Sequence, residues 1–481
     1  MVKWGEIGIV RNLIVGELLI YPYQQIGSNT IRIYKRIKIQ INFGSPVVSL
    51  QTREVDDFVY RGVVNENQAK NWVYQIENLS LQKITSSRLS SGNWYRIKIT
   101  EEGIYKLDFN FLKSKGIDLS NVDPRTIQIF GNGGKTLSEK PEDYTNADLI
   151  ENAIMVVGEE DGKFDQSDYI IFYAPSVRGW EYQSTTKTIG HYYHYYSDVN
   201  YVWLTFGNAI GKRMSGKVSV SDNPDSIVTT TTGYILYKEF KKNLAATGRR
   251  WFGDEFNDRT KSRVYTNRLP GLIPNRLITY KISVAARSDR TTTFLIDEGN
   301  NRIGTISLNP VNLADGIGIY ASTNLGVFTH SSNLSDSRSV LKLTYNVTDA
   351  ISAGYIDYFE IHYPRFLSAD NDRISFFSPL KTGTYEYVIS NFSNSDIRVF
   401  DVSKFDDVKF ITNSSISGMQ VKFRSIENGD SPSKYFAIGQ NGYLTPSEII
   451  KIANQNLRGI TPGGELIIIS PKEFLTEANR L

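Results

Sequence analysis

The run LITYKISVAAR, residues 277–287, alternates apolar and polar side chains with a period of two. This alternation is typical of a strand with one face in a hydrophobic core. The segments TTTFLID (291–297) and SVLKLTYN (339–346) have a similar pattern and are separated from it by polar turns. Short strands at this spacing favour a β-sandwich or jelly roll. We therefore predict a β-sandwich over residues 213–378 and a smaller β domain over residues 379–445.

An α+β domain is predicted upstream, over residues 89–212. WYRIKITEEGIYKLD (94–108) alternates on both sides of Gly103 and is typical of a hairpin. DFNFLKSKGI (108–117) predicts a short helix with Asp108 as N-cap and Gly116 after its end. Three further strands are expected in this domain, namely TIQIFG (126–131), AIMVVG (153–158) and DYIIFYA (168–174).

The two ends of the chain differ from this middle part. TIRIYKRIKIQINF (30–43) has isoleucines at alternate positions and predicts a half-buried strand in a β-rich unit over residues 1–60. Residues 61–88 form a mostly polar connector. Residues 446–481 predict the start of an α/β domain: SEIIKIANQNLRG is expected to be a helix capped by Ser447, ELIIIS a buried parallel strand and KEFLTEANRL a helix. The predicted fold class is thus mainly β and multidomain, ending in the first strand and helix of an α/β domain.

Composition excludes several classes of function. The 481 residues include no cysteine, so the chain has no disulfide, no thiolate metal site and no cysteine nucleophile. Lys and Arg total 54 against 51 Asp and Glu, without a long basic tract, and we expect no nucleic-acid partner. No uninterrupted apolar run approaches the length of a transmembrane helix, and the first residues do not have the pattern of a signal peptide.

The acidic stretch GEEDGKFDQSDYIIFY, residues 158–173, is the strongest candidate for a metal site. An EF-hand alignment that places Gly162 at position 6 puts Val157 at position 1, where a ligand is required, so an EF-hand is excluded. Two interpretations remain open. Asp161, Asp165 and Asp168 form an irregular calcium site, or the stretch is an acidic turn leading into a strand. Calcium is the only cofactor that the sequence suggests.

Other polar motifs predict structure rather than chemistry. GNGG (131–134) is expected to be a tight turn with positive φ angles, and HYYHYYSD (191–198) an aromatic strand and turn. His330 and His362 have no nucleophile to serve. Residues near GRRWFGDEF form a basic cluster that is expected to be a solvated face: Lys241, Lys242, Arg249 and Arg250. The sequence therefore predicts no catalytic residue.

Several stretches, in this order and spacing, resemble the N-terminal, non-catalytic part of a type IX secretion system sortase (PorU-type), a member of the gingipain family of cysteine peptidases in Bacteroidota. They are GIYKL (103–107), IFGNGG (129–134), DLIENAI (148–154), GEEDGKFDQSDYIIFY (158–173), TGRRWFGDEF (247–256), YIDYFEIHYPRFL (355–367), IRVFDVSKFDDV (397–408) and QNLRGITPGGELIIISPKEFLTEANRL (455–481). Most are strand and turn patterns, so the resemblance depends on the whole set. Residues 1–45 also resemble part of a gingipain-type propeptide.

The resemblance implies a caspase-like peptidase domain whose first strand and helix lie in ELIIISPKEFLTEANRL and whose His–Cys dyad lies outside this chain. It further implies a location at the cell surface or outer membrane of a Gram-negative bacterium, with the signal peptide missing from this sequence. The implied partners are the type IX secretion machinery, its cargo proteins and lipopolysaccharide. Two alternatives remain: a non-catalytic surface β-sandwich protein that binds glycans or proteins, and a secreted gingipain-like protease precursor.

Overall fold

The structure is a computed structural model that describes residues 2–10, 13–26, 30–42, 60–69, 86–139, 148–207, 209–246, 248–347, 349–459 and 466–480. The chain divides into two compact units, Met1–Thr85 and Ser86–Leu481. Strands make up 47% of the residues and helices 8%, which confirms the prediction of a mainly β, multidomain protein. No helix within the described ranges is long and apolar enough to cross a membrane.

The first compact unit contains two antiparallel strand pairs and a short helix. One pair is Val2–Val10 with Leu13–Ile20, the other Tyr23–Ile26 with Thr30–Ile33, and the helix is Glu66–Ala69. The half-buried strand expected over residues 30–43 is wrong. Only Thr30–Ile33 is a strand among the described residues 30–42, and its side chains are exposed, because it forms a two-stranded sheet with Tyr23–Ile26 and so small a sheet buries neither face. Phe43 lies outside the described residues.

The second unit begins with what we call the leading unit, two packed antiparallel sheets. The strands of the five-stranded sheet are, in spatial order, Ile449–Ile452, Trp94–Ile99, Asn200–Thr205, Gln128–Gly131 and Ile150–Asn152. Those of the three-stranded sheet are Gly103–Asp108, Tyr169–Ala174 and Met155–Val157. The unit also contains the 3₁₀ helices Arg88–Ser90, Pro124–Thr126 and Glu159–Asp161.

Between these sheets lies a core that includes Ile97, Leu107, Ile129 and Phe172. The helix Phe109–Ser114 contributes to it, and Asp108 caps that helix as predicted, accepting a 2.8 Å hydrogen bond from the Phe111 amide. The predicted hairpin is wrong, because the strands on either side of Thr100–Glu102 lie in different sheets. One pairs with Asn200–Thr205 and Ile449–Ile452, the other with Tyr169–Ala174.

The large sandwich, residues 230–366, consists of two antiparallel sheets around the largest core. One sheet contains Thr230–Tyr237, Ala353–Phe366, Leu277–Arg287 and Ser322–Ser331, with Glu255–Phe256 also paired to Ala353–Phe366. The other contains Ser262–Arg268, Arg338–Asn346, Thr292–Glu298 and Asn301–Leu308. A strand pair, Lys242–Asn243 with Trp251–Phe252, and the 3₁₀ helix Ser335–Ser337 complete it. The strand that the opening motif predicts, 277–287, is confirmed at both ends.

The small sandwich is formed by residues 215–228 together with residues 373–438. Its first sheet contains Ser215–Val218, Lys409–Thr412, Arg398–Asp401, Lys434–Ile438 and Arg373–Phe377. Its second contains Ser226–Val228, Gly383–Ile389, Gln420–Glu427 and Ser415–Ser417. Buried side chains that include Ile104, Ile171, Phe400 and Phe436 join the first sheet to the leading unit. The two bodies therefore share a core.

The last part of the chain departs from the sequence expectation. Residues 447–459 are not a helix: Ile449–Ile452 is a strand beside Trp94–Ile99, and Leu457–Gly459 is a 3₁₀ helix. Pairing of Ile449–Ile452 covers the free edge of Trp94–Ile99 and places Ile449 in the core of the leading unit, which a helix lying off the sheet would not do. The buried parallel strand expected over ELIIIS is wrong for the described residues 466–470. They have no regular secondary structure, and Leu466, Ile467 and Ile469 are exposed, since no strand among the described residues pairs with them. Of the helix expected over KEFLTEANRL, the 3₁₀ helix Lys472–Phe474 and the short α-helix Leu475–Ala478 are present. The caspase-like domain stays a prediction.

Candidate functional site at the junction of the β units

The strand Ala353–Phe366 carries an unusual number of polar residues toward one face. Ile356, Phe359, Ile361 and Tyr363 belong to the core of the large sandwich. The register with Leu277–Arg287 shifts so that Ser283 pairs with Tyr358 and Val284 with Ile356, which leaves Asp357 as the extra residue of a β-bulge. Because of the bulge, Asp357 and Tyr358 can both point away from the core, followed by Glu360 and His362.

A two-stranded hairpin covers this polar face, and we call it the clamp hairpin: Arg178–Gln183 with Thr188–Tyr193. It belongs to the leading unit, because it connects the strands Tyr169–Ala174 and Asn200–Thr205 of that unit. Its Trp180 ring lies 5.5 Å from His362 and 4.7 Å from Tyr234, measured between ring centroids. The His191 ring lies 4.5 Å from that of Tyr358. Aromatic packing therefore holds the leading unit against the large sandwich.

The carboxylate of Glu360 lies buried at the centre of this contact. Its Oε1 is 2.5 Å from His191 Nδ1, on the clamp hairpin, and its Oε2 is 2.6 Å from His362 Nε2. Lys281 Nζ, on the neighbouring strand, lies 3.4 Å from the same Oε2. The Glu360 side chain is only 5% exposed. A carboxylate at this depth requires such partners, since an unpaired buried charge is strongly destabilising.

The pKa of Glu360 reflects a competition between burial and hydrogen bonding. Burial favours the neutral acid and raises the pKa, but the hydrogen bonds from His191 and His362 and the charge of Lys281 outweigh it. The net result is a pKa held well below the usual range for glutamate. Glu360 is therefore ionised at neutral pH, and each histidine nitrogen that faces it donates a proton.

A second buried ion pair lies at the bulge itself and joins Asp357 to Lys238. The Lys238 side chain is fully buried, its Nζ 2.5 Å from Asp357 Oδ1 and 2.8 Å from the Trp251 carbonyl. Arg250 Nη2 lies 2.9 Å from the other carboxylate oxygen. Burial lowers the pKa of Lys238, and the attraction of Asp357 opposes that shift. Together with the cluster around Glu360, this pair forms what we call the junction seam: Lys238, Asp357, Glu360, His191 and His362.

A cleft opens next to the junction seam, where the leading unit and both sandwiches meet. Its volume is about 310 Å³. Its lining includes the aromatic residues Trp180 and Tyr234 and charged residues of both signs: Arg365, Arg373, Lys434, Glu102 and Asp370. Aromatic and charged side chains together are typical of a binding surface.

The acidic stretch forms a tight turn in which side-chain oxygens accept hydrogen bonds from nearby backbone amides. Asp161 Oδ1 accepts from the Lys163 amide at 2.9 Å, Asp165 Oδ1 from the Ser167 amide at 2.9 Å. Asp168 is buried, and its Oδ2 accepts from the Asp165 amide at 2.8 Å. Among the described residues, no three His, Cys, Asp or Glu side chains are placed to hold a metal ion. Calcium binding by Asp161, Asp165 and Asp168 stays a prediction.

Gly158 provides a test of this turn. Its φ is 93°, and a Cβ there would overlap the Asp168 carboxylate. We expect Gly158→Ala to lower the free energy of unfolding by about 2 kcal/mol, from left-handed strain plus displacement of a buried hydrogen-bonding group. Gly162→Ala is the matched control: φ is 78°, and the nearest atom, Arg125 Nη2, would be 3.5 Å away. Gly162→Ala should lower the free energy of unfolding by about 1 kcal/mol. Equal losses in urea unfolding would contradict the role of Asp168.

The other predicted motifs have structural roles. Gly133 and Gly134 have φ angles of 77° and 71°, so GNGG is the expected turn. HYYHYYSD includes the end of the clamp hairpin, as expected of an aromatic strand and turn. The basic cluster is largely paired with carboxylates: Lys241 with Asp254, Lys242 with Glu255, Arg249 with Glu139 and Arg250 with Asp357.

The sequence motifs do not predict the junction seam. His191 and His362 belong to separate stretches, and Lys238, Asp357 and Glu360 stand in no candidate site. One signal was available: FEIHY (359–363) places Glu360 and His362 on the same face of a strand that is otherwise strongly apolar. Charged residues at alternate positions of such a strand indicate that polar groups of another segment cover this face of the strand.

The geometry defines a class of protein: a mainly β protein in which two sandwiches and a two-sheet unit are joined by shared cores and a buried polar seam. No protein-family model matches the sequence, and no curated protein matches it either.

Among solved structures, the chain is similar to dimeric latent PorU from Porphyromonas gingivalis. The TM-score is 0.68 at 19% sequence identity, over 82% of this chain and 36% of that chain. The chain thus spans about a third of that protein. At this identity the similarity shows the fold alone, and the fold of this chain is PorU-like.

Two further structures resemble the chain only weakly. They are the insecticidal delta-endotoxin Cry8Ea1 from Bacillus thuringiensis (TM-score 0.20, 14% identity, 52% of this chain and 43% of that chain) and the VP2 subviral particle of infectious bursal disease virus (0.14, 7%, 73% and 81%). Scores this low carry no argument about fold or function.

Proposed function

We propose that this chain is the N-terminal, non-catalytic region of a type IX secretion sortase of the gingipain family. The observation that carries the proposal is the PorU-like fold over 82% of the chain. The ordered set of strand and turn motifs in the sequence is consistent with it. The absence of cysteine means that the nucleophile of such a cysteine peptidase would lie outside this chain.

In this proposal, the whole protein acts at the cell surface of a Gram-negative bacterium, attached to the outer membrane. It removes the C-terminal signal of type IX cargo and transfers the cargo to lipopolysaccharide. The leading unit and the two sandwiches serve as a rigid scaffold that positions the peptidase domain and contacts the secretion machinery. Residues 465–481 would belong to the start of that domain.

Deletion of the gene in its source bacterium tests this function. We expect type IX cargo to retain its C-terminal signal, as read by mass spectrometry of cargo C-termini, and complementation with the intact gene to restore processing. A gene lacking residues 86–459 should fail to complement, because the scaffold is required. Normal cargo processing in the deletion strain would overturn the proposal.

The same strain separates the two alternatives. Loss of a secreted protease activity with normal cargo processing would identify a gingipain-like protease precursor. Loss of surface binding to glycans or proteins, with both processing and proteolysis intact, would identify a non-catalytic binding protein. The junction cleft, with aromatic and cationic side chains, is the observation that favours this second alternative.

A further inference from the structure

The segment 30–42 has a pattern that the fold of this chain does not use. Isoleucine occupies five of its six odd-numbered positions, which is typical of a strand with one covered face. In the structure, Thr30–Ile33 belongs to a sheet of only two strands. The side chains of Tyr23, Ile31 and Ile33 are 63%, 65% and 61% exposed. The described residues therefore leave this face largely uncovered.

The charge of the same segment is entirely positive. Residues 18–53 contain five Lys and Arg but no Asp or Glu, in a chain whose charges nearly cancel overall. Four of the five lie close together in sequence and are exposed: Arg32, Lys35, Arg36 and Lys38. None of these four forms an ion pair with a carboxylate in the part of the chain that the structure describes. Unpaired charges of one sign favour an anionic partner.

The strand Thr30–Ile33 also has an open edge. The Tyr34 amide donates a 2.9 Å hydrogen bond to the Pro22 carbonyl, which continues the antiparallel ladder to the partner strand. Because successive residues of such a ladder direct their backbone groups to opposite sides, the N–H and C=O groups of Ile31 and Ile33 face away from that partner. An isolated two-stranded sheet is marginally stable in water, and a third strand at this edge would satisfy these groups.

The two faces of the sheet restrict what can pair with this edge. The register places Tyr23 opposite Ile33 and Gln24 opposite Arg32, so one face is largely apolar and the other carries a cation. A second copy of the same strand would bring like charges close together, which destabilises a strand pair. Cations on an edge strand thus prevent pairing with identical strands, but they attract a strand of opposite charge.

Two other anionic partners match less of this geometry. A nucleic acid would pair with the cations but leave the apolar face uncovered. An anionic membrane could take both the cations and the isoleucines, but hydrocarbon offers no hydrogen bonds to the backbone groups of an open strand edge. A strand that carries carboxylates and apolar side chains at alternate positions matches the charge, the face and the edge.

We propose that residues 30–38 bind an extended peptide segment whose acidic and apolar residues alternate. The segment adds as a third strand at the open edge, with its backbone hydrogen-bonded to Ile31 and Ile33. Its carboxylates lie on the face of Arg32, and its apolar side chains extend the face that includes Tyr23. In this mode of recognition, backbone hydrogen bonds supply affinity and alternate side chains supply specificity. The proposal does not depend on the sortase function, since it uses residues of this chain only.

Binding of a designed peptide to the full chain tests the proposal. The probe is a fluorescently labelled ten-residue peptide that alternates glutamate and valine, and fluorescence anisotropy measures its binding. We expect saturable binding that weakens about tenfold or more as sodium chloride rises from about 0.05 M to about 0.5 M, because salt screens exposed charges.

Three matched peptides separate the contributions of charge, pattern and backbone. The first has the same composition, with the glutamates and the valines in two blocks. The second has lysine in place of glutamate. The third keeps the alternating sequence but has every backbone amide N-methylated, which removes the hydrogen-bond donors and keeps the charges. Each should bind at least about tenfold more weakly than the alternating glutamate–valine peptide.

Variants of the chain locate the site. Replacing four cations by glutamine should weaken binding of the glutamate–valine peptide at least about tenfold: Arg32, Lys35, Arg36 and Lys38. The matched control replaces four exposed cations of the second compact unit by glutamine and should bind the peptide like the wild type: Arg259, Lys261, Arg276 and Lys381. Circular dichroism and thermal melting verify that both variants are folded.

Several results would overturn the proposal. One is a failure of the glutamate–valine peptide to bind. Another is equal binding of the block or the N-methylated peptide, which would mean a contact through charge alone. A third is an equal loss of binding in the control variant. Vesicles of phosphatidylcholine with phosphatidylglycerol and a DNA duplex are titrated in parallel, and tighter binding of either than of the peptide would replace the peptide by a membrane or a nucleic acid as the partner.

Discussion

Replacing Glu360 by glutamine should lower the free energy of unfolding by about 3 kcal/mol at pH 7. Glutamine has nearly the same shape, so the change removes a charge and an acceptor and leaves the volume unchanged. The two histidines and Lys281 then lose the carboxylate that they share at 2.5, 2.6 and 3.4 Å. Removing one partner of a buried pair is costly because the groups left behind are desolvated without compensation.

The Glu360 prediction has a pH signature. Because the folded-state pKa lies below the unfolded value of about 4.5, the carboxylate stabilises the fold above pH 4.5, and this contribution declines as the pH falls toward the folded-state pKa. The difference between wild type and Glu360→Gln should therefore shrink below pH 4.5. Urea unfolding of both proteins at a series of pH values from 7 to 3 measures this difference in the free energy of unfolding.

An exposed glutamate provides the control for this comparison. Glu448 is 44% exposed and lies 3.9 Å from Arg96, so Glu448→Gln should cost less than about 1 kcal/mol. A cost at Glu360 as small as that at Glu448, or a difference that does not depend on pH, would contradict the account of the junction seam.

Lys238→Met should be still more destabilising, by about 4 kcal/mol, because the fully buried ammonium is the closest partner of Asp357. Its loss leaves the buried carboxylate with Arg250, whose side chain is 51% exposed, and with a 3.3 Å hydrogen bond from Ser283. Methionine fills most of the vacated volume, so the cost should be mainly electrostatic. Midpoints of urea unfolding, followed by tryptophan fluorescence, measure it.

A double variant tests the electrostatic origin of that loss. Lys238→Met combined with Asp357→Leu removes both buried charges and should be more stable than Lys238→Met alone, since an apolar pair can replace a buried ion pair at little cost. Lys242→Met is the matched control: its partner Glu255 lies 2.5 Å away, but the lysine side chain is 48% exposed, and the loss should stay below about 1 kcal/mol. If the double variant loses as much stability as the two single variants together, the electrostatic account is contradicted.

Local sequence patterns were sufficient for much of the fold. The alternation in 277–287 gave a strand with correct ends, and Asp108 indicated a helix start that its side chain does cap. Both signals depend on neighbouring residues only. By contrast, 447–459 has apolar residues at spacings that also suit a helix, and its strand state depends on pairing with Trp94–Ile99, far away in sequence.

The junction seam shows a second limit of the same kind. His191, Lys281 and Glu360 come from three distant segments, and each is unremarkable in its own segment. A strand's alternation tells which residues share a face, but it does not tell which other strand covers that face. The β-bulge at Asp357 adds a shift of one residue that alternation alone cannot indicate.

The most direct test of the scaffold hypothesis is the mass of type IX cargo from cells whose chromosomal gene carries Lys238→Met or Lys242→Met. If this chain supports a sortase, breaking the buried pair should leave cargo with its C-terminal signal, whereas the exposed-pair variant should process cargo like the parent strain. Lys238→Met/Asp357→Leu should restore part of the processing. Fully processed cargo in the Lys238→Met strain, despite the loss of stability measured in vitro, would contradict the role of this chain as the scaffold of a sortase.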